Sequence, residues 1–315
     1  MRTLIFPYVG KEAESYARDA KQRGDHVLLQ PPGGFPNIHD SEFADVFYKT
    51  VIDNSITHLF CPVASVHKFM QSFPHGLVLL GESPIQKAVR EHNELMERAI
   101  SLSHLAPDVS LIDLAGVLKG AMSIYGESNE EKLAAMIGIF ADAPDGDVVE
   151  VGSLCGRTAF VLRWCALRYQ HQFMLTVDPW SAVAGVQVDS PALLAAMTAE
   201  WDWDTVAEIF AVNIALLGHT NHLRTTSADG FAEYIKDPQD GIAVLHIDGN
   251  HDYDNVKQDI ELWCSMVVPG GWLVLDDYRW PHGDGPKRAG DELLSQDVHD
   301  RSFEAGGALF VRFKP

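Results

Sequence analysis

The chain has 315 residues, 46% of them hydrophobic and 22% charged, the proportions of an ordinary globular protein long enough for two domains. Its formal net charge of -20 excludes the usual nucleic-acid binder, which must neutralise phosphates with clustered Lys and Arg. No run of about 18 apolar residues indicates a membrane helix, and the four cysteines lie apart with no CxxC pair, as reduced core thiols rather than zinc or disulfide ligands do.

The opening MRTLIFPYVGKEAES has an apolar run too short for a signal segment and becomes charged at once, so it reads as the first β-strand of a cytoplasmic protein. As far as about residue 80, strand-like TLIF, HVLL, THLFC and GLVLL alternate with helical segments from Lys11 to Arg23 and from Glu42 to Val51. That alternation predicts a small α/β unit with a parallel sheet. The turn PPGG at residues 31–34 lacks the Lys and the Ser or Thr of a phosphate cradle and reads as a plain loop. A helix from Ser83 to Leu105 follows, and Pro107 marks the expected passage from an auxiliary domain, residues 1–106, to a second domain, residues 107–315.

In the second domain an entry segment, LIDLAGVLKGAMSIYG, precedes a helix, NEEKLAAMIGIFADA, that Ser128 or Asn129 would cap, with Glu130 and Glu131 favourably placed in its first turn. The stretch DVVEVGSLCGRT, residues 147–158, then reads as a buried strand passing through a glycine turn into a helix, FVLRWCALRY. Gly152 would let backbone approach a ligand, and Gly156 would let the helix pack near the strand. Strand FMLTVD, a long insertion from Pro179 to about Asp204, helix TVAEIFAVNIALLG, strand HLRTT, helix GFAEYI, strand IAVLHID, helix NVKQDIELWCSMV and strand GGWLVLDD follow. The end, FEAGGALFVRF, reads as a hairpin around Gly306 and Gly307. Five strands alternating with helices and closed by a hairpin predict a doubly wound α/β sheet with an antiparallel edge.

In such a sheet the strand ends open on one crevice, where Glu150, Asp178, Asp229, Asp248, Asp276 and Asp277 would converge. Asp178 stands where an acid accepts hydrogen bonds from ribose hydroxyls, and Ser227 and Asp229 stand where an adenine edge would lie, although Asp229 equally suits a helix cap. The loops HIDGNHDYD and LVLDDYRW would present Asp248, Asp276 and Asp277 as hard oxygen ligands, suited to Mg²⁺ or another divalent cation. His251, in the same loop as Asp248, is a candidate general base. Trp180, Trp201 and Trp203 in the insertion would either form a lid or pack internally. ExGxxxGxT lacks the third glycine of GxGxxG, which speaks against an NAD-type oxidoreductase.

The succession of ExGxxxGxT, strand-end Asp178, IDGNHDYDNVKQDIELW and VPGGWLVLDDY resembles the class I S-adenosylmethionine-dependent methyltransferases over residues 125–315. It is most similar to the metal-dependent O-methyltransferases of macrolide sugars (macrocin and mycinamicin type) and to the cephalosporin-hydroxylase-like group. The resemblance implies a Rossmann-like methyltransferase sheet and S-adenosylmethionine and Mg²⁺ as cofactors. It implies a small-molecule hydroxyl acceptor of natural-product type as partner, with no nucleic acid or membrane. A homo-oligomer is compatible with it, as is the rival of metal-independent N- or carboxyl-methylation.

Residue by residue, the resemblance places the methionine moiety at Glu150, Gly152 and Ser153, with Gly156 and Thr158 completing the turn. Asp178 would hold the ribose, Ser227, Ala228 and Asp229 would lie near the adenine, Asp248, Asp276 and Asp277 would bind the metal, and His251 would be the base. Catechol-type relatives carry Asn at the end of their metal set and Lys in the place of His251, so the resemblance does not extend to a catechol acceptor.

Overall fold

A computed structural model describes residues 1–29, 34–80, 84–171, 173–187, 191–218, 220–237 and 240–315. The chain divides into two compact units, Met1–Asn93 and Glu94–Pro315. The first contains β1 (Arg2–Ile5), α1 (Gly10–Gln22), β2 (His26–Leu28), α2 (Phe43–Asp53), β3 (His58–Phe60), α3 (Ala64–Ser72) and β4 (Val78–Leu80). Its four strands pair in the order β2-β1-β3-β4, all parallel. Strand alternation sends Leu4 and Leu59 to one face, against Phe43, Phe47 and Met70, and Ile5 and Phe60 to the other, against Ala13 and Ala17. Residues 31–33 of the PPGG turn lie outside the described residues.

The division falls inside α4 (Pro84–Leu102), well before Pro107. The reason is packing: Ala99, with Leu95, Met96 and Leu102, belongs to the core of the second unit, so the second half of the helix goes with it.

The second unit continues with α5 (Leu111–Met122), α6 (Glu130–Ile139), β5 (Asp147–Val151), α7 (Arg157–Arg168), β6 (Met174–Val177), α8 (Ala182–Gly185), α9 (Ala192–Ala199), α10 (Trp203–Ile214), β7 (Asn221–Leu223) and α11 (Ser227–Tyr234). Then come β8 (Ile242–Ile247), α12 (Tyr253–Trp263), β9 (Val267–Leu275), α13 (Gly285–Leu294), β10 (His299–Ala305) and β11 (Ala308–Phe313). The seven strands run β10-β11-β9-β8-β5-β6-β7, with only β11 and β10 antiparallel to their neighbours. This is the expected doubly wound sheet with its hairpin edge, and Gly306 (φ 59°) and Gly307 (φ 90°) make the turn in a conformation that favours glycine.

Both faces of this sheet are covered, which is why its strands read as continuous apolar runs. Val148, Val244 and Val274 point to a layer with α5, α6, α7 and α10, while Val149, Leu245 and Leu275 point to a layer with α11, α12 and α13. Helix α13 lies in a segment whose sequence had suggested no element; its amphipathic face carries Ala289 and Leu293 inward. No helix among the described residues is long and apolar enough to cross a membrane.

Candidate active site

The sheet's winding reverses at β5, which lies between β8 and β6, so the turn after β5 and the loop after β8 flank one crevice. Gly152 has φ 85°, and a Cβ there would collide with the Asp248 carbonyl oxygen. The glycine therefore admits the neighbouring loop's backbone, a different close approach from the one expected. Gly156, at φ 90°, begins α7 without a side-chain cap; a Cβ would stand 3.0 Å from Phe210 in α10, so it admits that helix and not the strand.

Asp178 organises the turn from within. One of its oxygens accepts from the amides of Ser153 (2.8 Å) and Leu154 (3.0 Å), the other from the amide of Trp180 (2.7 Å). Leu154 (φ 46°) and Trp180 (φ 39°) are both held in the left-handed region, which costs about 1 kcal/mol or more for such side chains. Burial pushes the Asp178 carboxyl above its usual range, and the three amide donors pull it back. The Trp180 indole also donates to the Leu154 carbonyl (2.8 Å) and packs on Phe210, so this tryptophan is core, and Trp201 packs on Trp203 and Tyr125.

Two polar atoms at the turn are buried with no hydrogen-bond partner among the described residues, Ser153 Oγ and Glu150 Oε2; the other Glu150 oxygen lies 3.2 Å from His246 Nδ1. Buried orphans of this kind call for a ligand or water. A donor with a cationic amino-acid end fits them.

The remaining expected cofactor contacts have structural partners. Thr158 Oγ1 meets Ser128 Oγ (3.2 Å), and the Ser227 hydroxyl accepts from the Trp263 indole (2.9 Å). Ala228 and Asp229 lie in the first turn of α11, whose cap is Thr226: its hydroxyl accepts from the Asp229 amide (3.2 Å) and donates to the Asp229 carboxylate (2.9 Å). Cys155 is a buried thiol whose pKa burial raises, a packing residue.

The acids after β8 and β9 do meet. The Asp248 amide donates to Val151 and the Asp276 amide to Ile247, so the sheet's own ladder brings both loops together. Ligand atoms of His246, Asp248 and Asp276 lie within 4.8 Å of one another, as do those of Asp248, His251 and Asp277. Asp277, at φ 51°, adds a third strained residue, its amide donating to Asp276 (2.8 Å). His251 Nε2 is 3.1 Å from Asp277 and 3.9 Å from Asp248, while its Nδ1 lies 3.1 Å from the side-chain amide of Gln187. Asn250 donates to the Ala184 carbonyl (3.1 Å), so the start of the insertion is tied to this loop.

Sequence reasoning missed a cation. Lys132, only 1% exposed, pairs through Nζ with Asp276 and lies 3.7 Å from Asp248. Burial lowers its pKa, but the charges of Asp276 and Asp248 outweigh this and hold it above the usual lysine range. Asp248 is driven well upward by burial and by Asp276, and Asp277 upward by the same two causes; for Asp276 burial is outweighed by Lys132, and its carboxyl stays below its usual range. Both Asp276 oxygens are thus engaged, one by Lys132 and one by the Asp277 amide. Asp248 (25% exposed) and Asp277 (34% exposed) remain open to the crevice.

Residues 149–278 match a family model described as a methyltransferase domain. Over 66 residues the chain is 38% identical to uncharacterized protein R132 of Acanthamoeba polyphaga mimivirus, a match that takes 20% of this chain and spans 30% of that protein's length. Similar solved structures include CalS11, a calicheamicin methyltransferase (TM-score 0.47, 16% identity, 74% of this chain and 94% of that one). The O-methyltransferase NovP has a TM-score of 0.41 at 19% identity, over 66% of this chain and 81% of that one. An O-methyltransferase from Bacillus cereus, in complex with SAH, has 0.43 at 13%, over 64% and 90%. Residues 149–278 thus match a methyltransferase domain.

Proposed function

We propose that the chain transfers the methyl group of S-adenosylmethionine to a hydroxyl of a small molecule of sugar or natural-product type, assisted by Mg²⁺ or another divalent ion. The observation that carries this reading is a charge imbalance. Asp248, Asp276 and Asp277 bring three carboxylates together, and Lys132 neutralises one of them. Two negative charges are left over, which a divalent cation matches and which a metal-free N- or carboxyl-methyltransferase would not need. Asp248 and Asp277 have oxygens free to hold the ion, with Asp276 behind them on Lys132.

When bound, the sulfonium donor supplies the methyl group and the ion supplies a positive charge that makes an acceptor hydroxyl more acidic. The protein's own groups do the rest. His251, whose Nδ1–H would donate to the Gln187 side-chain amide oxygen, turns an unprotonated Nε2 to the space between Asp248 and Asp277, where it would take the hydroxyl proton. The turn braced by Asp178 keeps Ser153 Oγ and Glu150 Oε2 in place for the donor's amino-acid end. The four free cysteines suit a reducing compartment such as the cytoplasm.

Isothermal titration with S-adenosylmethionine and with NAD tests the donor: binding of the first and not the second is expected. NAD binding without S-adenosylmethionine binding would replace this reading with a dehydrogenase.

A further inference from the structure

The acid cluster contains two overlapping cation positions, and the inner one is already filled from within the chain. It is formed by His246, Asp248 and Asp276 and holds the Lys132 ammonium; the outer one lies between Asp248 and Asp277 at the crevice, with His251 beside it. We propose that Lys132 is a built-in cation that closes the inner position and confines the divalent ion to the outer one, an inference that rests on the metal-assisted reading above.

Nothing in the local structure of α6 favours a buried ammonium here. Lys132 is the third residue of that helix, where the dipole repels a positive charge, and at 1% exposure it has lost its hydration. The lysine is nevertheless fixed with care. The Asn129 side chain accepts from the Lys132 amide (3.0 Å) and donates to the Gly306 carbonyl (2.9 Å). A Cβ at Gly306 would collide with both Asn129 and Lys132. The next residue of the hairpin, Gly307, accepts from the Arg279 amide (3.0 Å) in the loop that carries Asp277. One glycine turn thus locks the lysine's helix to the acid loop.

Without the ammonium, the inner position would offer an imidazole and two carboxylates. His246 Nε2 is buried, has no hydrogen-bond partner among the described residues and lies 3.9 Å from Asp248. Such a donor set attracts transition ions, but an ion there would be hidden from an acceptor entering the crevice. Lys132 is on this account a positioning residue: it spends one cluster charge on itself and leaves the ion where substrate can reach it.

Titration of Mn²⁺ into the metal-free full chain, read by the paramagnetic signal of the free ion, tests this with wild type, Lys132→Met and Lys132→Gln. Removing a positive charge a few ångströms from the ion is expected to tighten Mn²⁺ binding by about tenfold or more. Structural damage alone would weaken it, so the direction separates the two roles. Equal or weaker binding in both variants, with wild type still binding, overturns the inference and leaves the metal reading standing. No Mn²⁺ binding by any of the three defeats the metal reading itself. If both variants are unfolded without metal, circular dichroism against Mn²⁺ concentration replaces the titration: refolding below the wild-type Kd supports the inference, and no refolding overturns it.

Discussion

The glycine turn after β5 and the acid cluster after β8 and β9 lie on the same sheet edge but bury their carboxylates in opposite ways. Asp178 is surrounded by three backbone amides and needs no cation. The cluster has one ammonium for three carboxylates. The Asp178 carboxylate is satisfied from within the chain, whereas the cluster is left with carboxylates that no group among the described residues neutralises. Asp259 shows a third solution. It is buried on α12, has no ion pair among the described residues, and burial pushes its pKa up to about 6 against a hydrogen bond from Ser227, so its charge near neutral pH costs stability.

Mutations that break the cluster should act on rate. Asp248→Ala, which removes the acid shared by both cation positions, is expected to lower methyl transfer by about 10⁴-fold or more while donor affinity, measured by titration, changes less than about threefold. His251→Ala is expected to cost between about 10² and 10⁴ in kcat, the range of a general base; a loss below about threefold would leave it a structural role.

Mutations of the turn should act on stability and donor binding. Gly152→Ala meets both a left-handed φ and the Asp248 carbonyl, so a loss of about 3 kcal/mol in denaturant unfolding is expected. Asp259 contributes a pH dependence of stability with a definite sign. Its folded pKa lies above the usual 3.8, so its contribution is fully present below about pH 4 and is lost as pH rises through about 6. Asp259→Asn should flatten that decline and gain about 2 kcal/mol at pH 7, measured by thermal unfolding at pH 4 and pH 7. The smallest effect is expected for Asp178→Asn, which keeps an acceptor but loses its charge: about 1 kcal/mol in stability and a several-fold weaker donor affinity.

These residues also mark how much the sequence disclosed. The sheet was legible because both of its faces are covered, which makes every strand an apolar run between turns, and because paired glycines announce the hairpin. The meeting of Asp248 with Asp276 and Asp277 was legible because strand ends share an edge. Roles that depend on partners distant in sequence were not. Ser227 is engaged by Trp263, 36 residues away, and Asp229 serves the Thr226 cap. Lys132 meets an acid 144 residues away, and in sequence it resembles any solvated lysine in a helix's first turn. Two signals pointed further: a cation at the end of a helix where it is disfavoured, and His246 as the one polar residue inside the buried strand IAVLHI.

The central claim is that acids from two strand ends hold one divalent ion beside the methyl donor. Anomalous diffraction at the manganese edge from crystals soaked in Mn²⁺ tests it most directly. The account predicts one peak within about 2.5 Å of carboxylate oxygens of both Asp248 and Asp277, with the Lys132 ammonium still on Asp276. A crystal saturated with Mn²⁺ that shows no peak between these two carboxylates would contradict it.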